Sequence, residues 1–194
     1  MSSEKKTYII NIIGAPGTGK TTTAALLFYF LKVKGYIAEL VSEVAKPYVW
    51  QGKIEELNDQ YHISREQYLL FKSMVGKVDF IVTDGSLIHG MFYNRYNKDN
   101  VSDVFITDTY IRKWYNEFNN INIYLERGNF EYENAGRIQD ENESKLMDIT
   151  MSKMIDSYKF DYKRLSLKGM DIEPFIEYIE SFFKEPSNSQ TKNN

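Results

Sequence analysis

Tyr8-Ile9-Ile10-Asn11-Ile12-Ile13-Gly14-Ala15-Pro16-Gly17-Thr18-Gly19-Lys20-Thr21 is the stretch on which the fold turns. Its first six residues read as a strand buried on both faces, as in a parallel sheet. Its last eight match the phosphate-loop pattern G-x-x-x-x-G-K-[ST] in full. Glycines let the backbone curl so that its N–H groups face phosphates. A helix starting near Lys20 directs its positive dipole end at the same place. In such a loop Lys20 reaches the β- and γ-phosphates, the Thr21 hydroxyl ligates Mg²⁺ and Thr22 reaches the α-phosphate. The expected nucleotide-binding set is Gly14, Ala15, Pro16, Gly17, Thr18, Gly19, Lys20, Thr21 and Thr22. A bare pattern match is a weak signal; the strand before it and the helix after it are the context the motif requires.

Downstream, Lys20 to Lys34 reads as a helix with Ala24, Leu27, Phe28 and Leu31 on one face, stopped by Gly35. Tyr36 to Val41 completes a βαβ unit. Residues 43–61 are mixed and contain Pro47 and Gly52. A helix is expected over Ser64–Lys77, a third strand over Phe80–Thr83 and a helix over Leu87–Tyr96. Another helix spans Val104–Phe118, with Phe105, Trp114, Tyr115 and Phe118 near one face. Ile121–Leu125 is a fourth strand, and Tyr162–Leu167 a short fifth. Met147, Met151, Met154, Ile155 and Tyr158 mark a helix between them, with core packing as the ordinary role of its methionines. Ile172 to Phe183 is a final amphipathic helix. Strands alternating with helices give an α/β fold. The expected architecture is a three-layer P-loop NTPase fold with a mainly parallel five-stranded sheet and a mobile lid. It forms one domain over residues 1–184, with the lid at about 127–144 and a disordered polar tail over 185–194.

Composition narrows the function. The chain has 194 residues, 42% of them hydrophobic, and a net charge of −3. It has no cysteine, which excludes disulfides, zinc ribbons and thiol nucleophiles. Near-neutral charge disfavours a dedicated nucleic-acid binder. No stretch approaches the ~20 apolar residues of a membrane span, and no signal peptide is evident, so a cytoplasmic location is expected. Fifteen tyrosines, with many asparagines and lysines, point to an AT-rich gene of the phage or low-GC bacterial kind.

The acidic positions separate the nucleotide-using classes. Asp84 ends the third strand, where a carboxylate holds the Mg²⁺ shell, which makes Thr21 and Asp84 the metal pair. Gly85 stands where motor ATPases carry a water-activating Glu, and Asn97-Lys98-Asp99-Asn100 lacks the final Asp of a guanine-reading N-K-x-D. Glu43 follows the second strand at its carboxyl end, the edge that faces ligands in an open α/β sheet. A carboxylate there suits a general base for an attacking hydroxyl; in isolation it would be a solvated loop residue. Arg127 and Arg137 flank a Gly-containing polar segment where a lid would lie. Arg137 is the favoured cation over the transferring phosphoryl group, against the plain alternative of two surface charges. Lys46 and Arg65 are placed near the acceptor side. Of the histidines, His62 and His89 are not spaced as a metal pair, and His89 lies where it could line the crevice.

With these residues placed, the chain resembles two related groups of P-loop kinases over about residues 7–160. Deoxynucleoside kinases carry a Glu at the end of the second strand, a Trp shortly after and a base-reading Gln on the next helix; here Glu43, Trp50 and Gln67 stand at similar places. Their Glu-Arg-Ser at the third strand is Asp84-Gly85-Ser86 here, without the arginine. Ribosylnicotinamide-kinase-like ATPases of phages and bacteria are similar in the look of Ser42 to Tyr48, the Asp84 strand and Gly136-Arg137 before an acidic helix. The resemblance implies ATP and Mg²⁺ as cofactors and a nucleoside- or nucleotide-like acceptor bound by Glu43, Lys46, Trp50, Arg65 and Gln67. The catalytic set is then Lys20, Glu43, Asp84, Arg137 and Arg127. Three rivals stay open. One is a kinase acting on a hydroxymethylated base in DNA, using Lys46, Lys53, Arg65, Lys72, Arg95 and Lys98 as a basic groove. The others are a nucleoside monophosphate kinase and a non-enzymatic nucleotide-gated switch. The sequence also leaves a homodimer open.

Overall fold

The computed structural model describes residues 5–128, 132–133 and 135–183. Five strands form one sheet: β1 (Tyr8–Ile13), β2 (Ala38–Val41), β3 (Phe80–Thr83), β4 (Asn119–Leu125) and β5 (Lys163–Leu165). Their order is β2-β3-β1-β4-β5 and every pairing is parallel. Helices α1 (Lys20–Val33) and α7 (Glu173–Glu180) cover one face. The other carries α3 (Gln60–Met74), α4 (Leu87–Tyr96), α5 (Val104–Asn116) and α6 (Glu141–Ser157). The expected three-layer P-loop architecture is therefore present.

Alternation along β1 divides the core. Ile9 and Ile13 join the cluster under α3–α6, with Phe71, Ile88, Met91, Ile111 and Met151. Ile10 and Ile12 join the cluster under α1 and α7, with Leu27, Leu31, Phe175 and Ile179. Both sets are fully removed from water, which is why β1 reads as a continuous apolar run. The exception, Asn11, is buried and donates to Asn120 Oδ1 at 3.0 Å and Asn122 Oδ1 at 3.1 Å, so its amide ties β1 to β4.

Several boundaries differ from the sequence reading. The second strand begins at Ala38, because the Ile37 N–H turns to the Asp79 carboxylate at 2.8 Å. The mixed stretch 43–61 holds a short helix α2 (Ala45–Trp50) and a 3₁₀ turn, and α3 starts at Gln60, capped by Asp59. Pro47 is tolerated because it sits in the first turn of α2, where its missing N–H has no partner to lose. Phe105 is not on the buried face of α5; it is 82% exposed, and Thr107, Asp108, Ile111, Trp114 and Tyr115 are buried instead. At the end of the presumed lid, Glu141 to Ser144 are helical, opened by an Asp140–Glu143 capping box. The tail 185–194 and part of the lid segment, residues 129–131 and 134, lie outside the described residues.

Candidate active site

The parallel sheet delivers the carboxyl ends of β1, β2, β3 and β4 to one edge, and the site is assembled there. The loop after β1 runs from Gly14 to Gly19, with Gly19 left-handed at φ 93° as α1 begins. Lys20 is the first helical residue, and its Nζ donates to the Ala15 carbonyl at 2.9 Å. The loop thus folds round its own lysine. Thr22 is exposed on the first turn of α1.

Asp84 organises the centre. It is 4% exposed at the end of β3. Its Oδ2 accepts the Thr21 hydroxyl at 2.5 Å, and its Oδ1 accepts the Glu43 backbone N–H at 3.1 Å. One carboxylate therefore ties the phosphate loop to the turn that carries Glu43. That turn is held on its other side by Gln67, whose Oε1 accepts the Val44 N–H at 2.9 Å. The Gln67 Nε2 is buried without a protein partner.

The structure leaves no room for a side chain directly after Asp84, at Gly85. A Cβ at Gly85 would stand 2.5 Å from Glu43 Cα and 2.8 Å from Gln67 Oε1. The Glu43 turn occupies the space that any side chain at position 85 would need.

Charges in the site are perturbed as close packing demands. Burial pushes the Glu43 carboxyl up, against the opposing pull of Lys20; Asp84 raises it further and Lys46 lowers it. Burial lowers the Lys20 ammonium, opposed by Glu43 and Asp84 and assisted by Arg137. Lys20 also feels Asp148 of α6, whose Oδ1 accepts the Tyr124 hydroxyl at 2.7 Å.

The segment after β4 lies against the loop. Arg127 donates to Pro16 O at 3.2 Å, to Gly17 O at 3.5 Å and to Ser144 Oγ at 2.6 Å. The fully buried Ser144 in turn donates to Pro16 O. The Tyr132 ring rests on Gly17, within 2.6 Å of where a Cβ would be. The Arg137 guanidinium stands 4.9 Å from that ring and donates to the Glu133 carbonyl.

The predicted acceptor residues separate. Trp50 is 63% exposed, and its indole lies against Gly136. Lys46 is near enough to influence Glu43. Arg65 is not brought in: the buried face of α3 is Gln60, Ile63, Ser64, Gln67 and Phe71, and Arg65 lies exposed off that face. Tyr93 of α4 was missed by sequence reasoning. It is half-buried, and burial, Glu43 and Tyr132 together raise its phenol. Ser144, Tyr132 and Asp148 were missed as well. Only Ser144 and Asp148 left a trace, as polar residues four apart on the apolar side of α6. On the outer side of the Glu43 turn lies a groove of about 660 Å³, lined by Leu40, Pro47, Tyr48, Leu70 and Met74 as well as Glu43. No residue of the phosphate loop lines it.

A family model described as an AAA domain matches residues 9–171. The chain belongs to this AAA-domain family. The matched span contains the whole site, from β1 through α6. The 54 kDa signal recognition particle protein of Acidianus ambivalens is 41% identical over 58 residues, which is 29% of this chain and 13% of that one. The same protein of Saccharolobus solfataricus is 32% identical over 98 residues, 44% of this chain and 22% of that one. The AAA-domain chain thus spans a small part of these curated relatives. Among solved structures, deoxyadenosine kinase from M. mycoides superposes with a TM-score of 0.55 at 19% identity, covering 90% of this chain and 97% of that one. Thymidylate kinase from Candida albicans gives 0.53 at 13%, covering 92% of each. The NadR protein in complex with NAD and AMP-PNP gives 0.62 at 16%, covering 93% of this chain and 52% of that one. These likenesses establish the P-loop kinase fold.

The groups this fold implies are ATP and Mg²⁺, and the donors present suit them. Thr21 and Asp84 offer two hard oxygens side by side. Among the described residues no cluster of three or more His, Cys, Asp or Glu forms a metal cage. The Thr21–Asp84 pair suits Mg²⁺, which is commonly held by one or two protein oxygens together with substrate phosphates and water.

Proposed function

We propose that the chain is an ATP-dependent phosphotransferase, one domain that moves the γ-phosphate to a hydroxyl of a nucleoside- or nucleotide-like acceptor. The observation that carries this reading is the Asp84 junction. Its carboxylate joins Thr21 to the Glu43 turn, and that turn fills the space beside Gly85. No side chain fits at position 85, directly after Asp84, and Glu43 is the carboxylate whose charge acts most strongly on Lys20.

In this reading the loop N–H groups and Lys20 bind the β- and γ-phosphates. Thr21 and Asp84 hold the Mg²⁺ that neutralises the phosphate oxygens. Glu43 takes the proton of the attacking hydroxyl, a role that its burial-raised pKa favours. Arg137, supported on Tyr132, places its charge toward the transferring group, and Arg127 braces the loop through Pro16, Gly17 and Ser144. The unpartnered Gln67 Nε2 supplies a donor for the acceptor, and Trp50 and Tyr93 supply its aromatic walls.

A small acceptor fits better than DNA. Of the six cations that a DNA groove would use, Lys72 is paired with Glu117 and Arg95 with Asp108. A monophosphate acceptor would call for arginines beside Glu43, and Arg65 lies off that face of α3. The test is Mg²⁺-dependent transfer from γ-labelled ATP to nucleosides, nucleoside monophosphates, ribosylnicotinamide and hydroxymethyluracil DNA. Label on a free nucleoside-like hydroxyl supports the reading. Label confined to monophosphates or to DNA would replace it with the corresponding rival, and tight ATP binding without transfer would favour a switch.

A further inference from the structure

The β3–α4 junction reaches the phosphate loop twice. Asp84 takes the Thr21 hydroxyl at the far end of the loop. Five residues on, in the first turn of α4, His89 reaches the near end: the Gly14 N–H donates to His89 Nε2 at 3.3 Å. Gly14 is walled in on its other sides, because a Cβ there would lie 2.9 Å from Thr18 Oγ1 and 3.1 Å from the Leu125 carbonyl.

We propose that His89 is a positioning residue of the phosphate loop, whose Nε2 lone pair fixes the Gly14 N–H and with it the angle at which β1 turns into the loop. The inference rests on the nucleotide-binding half of the proposed function and needs no acceptor.

Three features distinguish this role from plain packing. First, Nε2 accepts only when it carries no proton, so the ring is neutral and its hydrogen sits on Nδ1. Second, that Nδ1 is buried with no hydrogen-bond partner. The residues beside it along α4, Leu87, Ile88, Met91 and Phe92, are all buried and apolar. An apolar side chain among them would fill the same place without leaving a donor unpaired, so the bond to Gly14 is what the imidazole adds. Third, burial holds the ring well below the usual histidine range, and the nearby Lys20 charge acts in the same direction. The acceptor is therefore maintained while Lys20 carries its own charge. Tied at Gly14 and at Thr21 to one rigid junction, the loop is held open for phosphates before any nucleotide arrives.

Two measurements on the full chain decide the proposal. Long-range ¹⁵N–¹H spectra of the wild type report the tautomer, with the His89 signals assigned by their loss in His89→Gln. The expected result is an Nδ1–H ring with an unprotonated Nε2; a protonated Nε2 overturns the proposal. Calorimetric affinity for Mg²⁺–AMP-PNP, with the thermal midpoint recorded alongside, is compared across wild type, His89→Gln and His89→Leu. The leucine variant is expected to bind about tenfold more weakly, the order set by one unpaired buried N–H. Glutamine, whose Oε1 can replace the lone pair, should stay within about threefold. Leucine binding as tightly as wild type, or glutamine binding as weakly as leucine, overturns the proposal. Should the leucine variant not fold, the wild-type tautomer decides. If the wild type binds no AMP-PNP, the kinase reading fails, and the tautomer alone decides the His89 bond.

Discussion

In the proposed reading the site has a donor half and an acceptor half, and the two are built by different means. On the donor side, one contiguous loop carries its own instructions. Gly14 to Thr21 fold round Lys20, and the loop is anchored by side-chain hydrogen bonds: Thr21 to Asp84, Ser144 and Arg127 to Pro16, and Gly14 to His89. On the proposed acceptor side, Glu43, Gln67, Tyr93 and Trp50 come from four separate segments, and Trp50 is largely exposed. Glu43 is set by Asp84, Gln67 and the empty space at Gly85, none of them its sequence neighbours. The donor loop takes its curl from its own glycines and lysine and is then pinned by long-range bonds, whereas the proposed acceptor residues share no contiguous loop and depend on long-range contacts alone. Substitutions should therefore act differently on the two sides.

The largest effect is expected at the donor lysine. Lys20→Met should lower kcat/KM by about 10³-fold, because it removes a preorganised charge from the transferring group; steady-state kinetics measures it. Glu43→Gln should lower kcat by about 10²- to 10³-fold while AMP-PNP affinity stays within about twofold, which would separate the halves cleanly.

Gly85→Ala tests the join between them. The new methyl group meets Glu43 Cα, so the variant should lose about 1–3 kcal/mol. Its thermal midpoint should fall by roughly 2–10 °C, and kcat should drop as Glu43 is displaced.

The pH dependence sharpens the role of Glu43. Its carboxyl is raised by burial, and a base must be deprotonated to act. Activity should therefore be lost as pH falls through that raised value. The acid limb of kcat/KM should lie above the ~4.3 of an ordinary glutamate and vanish in Glu43→Gln. The stability linkage has the opposite sense. A raised folded pKa favours the fold at low pH and is lost as pH rises, so Glu43→Gln should be at least as stable as wild type at pH 7. The smallest effect is expected at Arg65→Ala: this exposed side chain of α3 should leave kcat and KM within about twofold.

The same contrast explains what the sequence disclosed. β1, α1, β3 and the loop were legible because periodicity and motif lie within a few residues. Asp84 was legible because it ends an apolar strand. Gln67 was placed on the correct helix, but its bond to Val44 depends on a neighbouring turn. Phe105 was misplaced because an aromatic at helical spacing carries no mark of which face is buried. Tyr93 sits in a helix whose apolar residues Leu87, Ile88, Met91 and Phe92 are core, and His89 owes its proposed role to a backbone N–H 75 positions away. Contacts of that range leave no local pattern.

The central claim is that the site transfers to a hydroxyl rather than to water. Its most direct test is the rate of ADP release by wild type and Glu43→Gln, each with and without the acceptor panel. The expected result is slow release alone, a large acceptor-dependent rise in the wild type and loss of that rise in the variant. Equal release with and without acceptor, unchanged by Glu43→Gln, would make the chain a hydrolase and contradict the account.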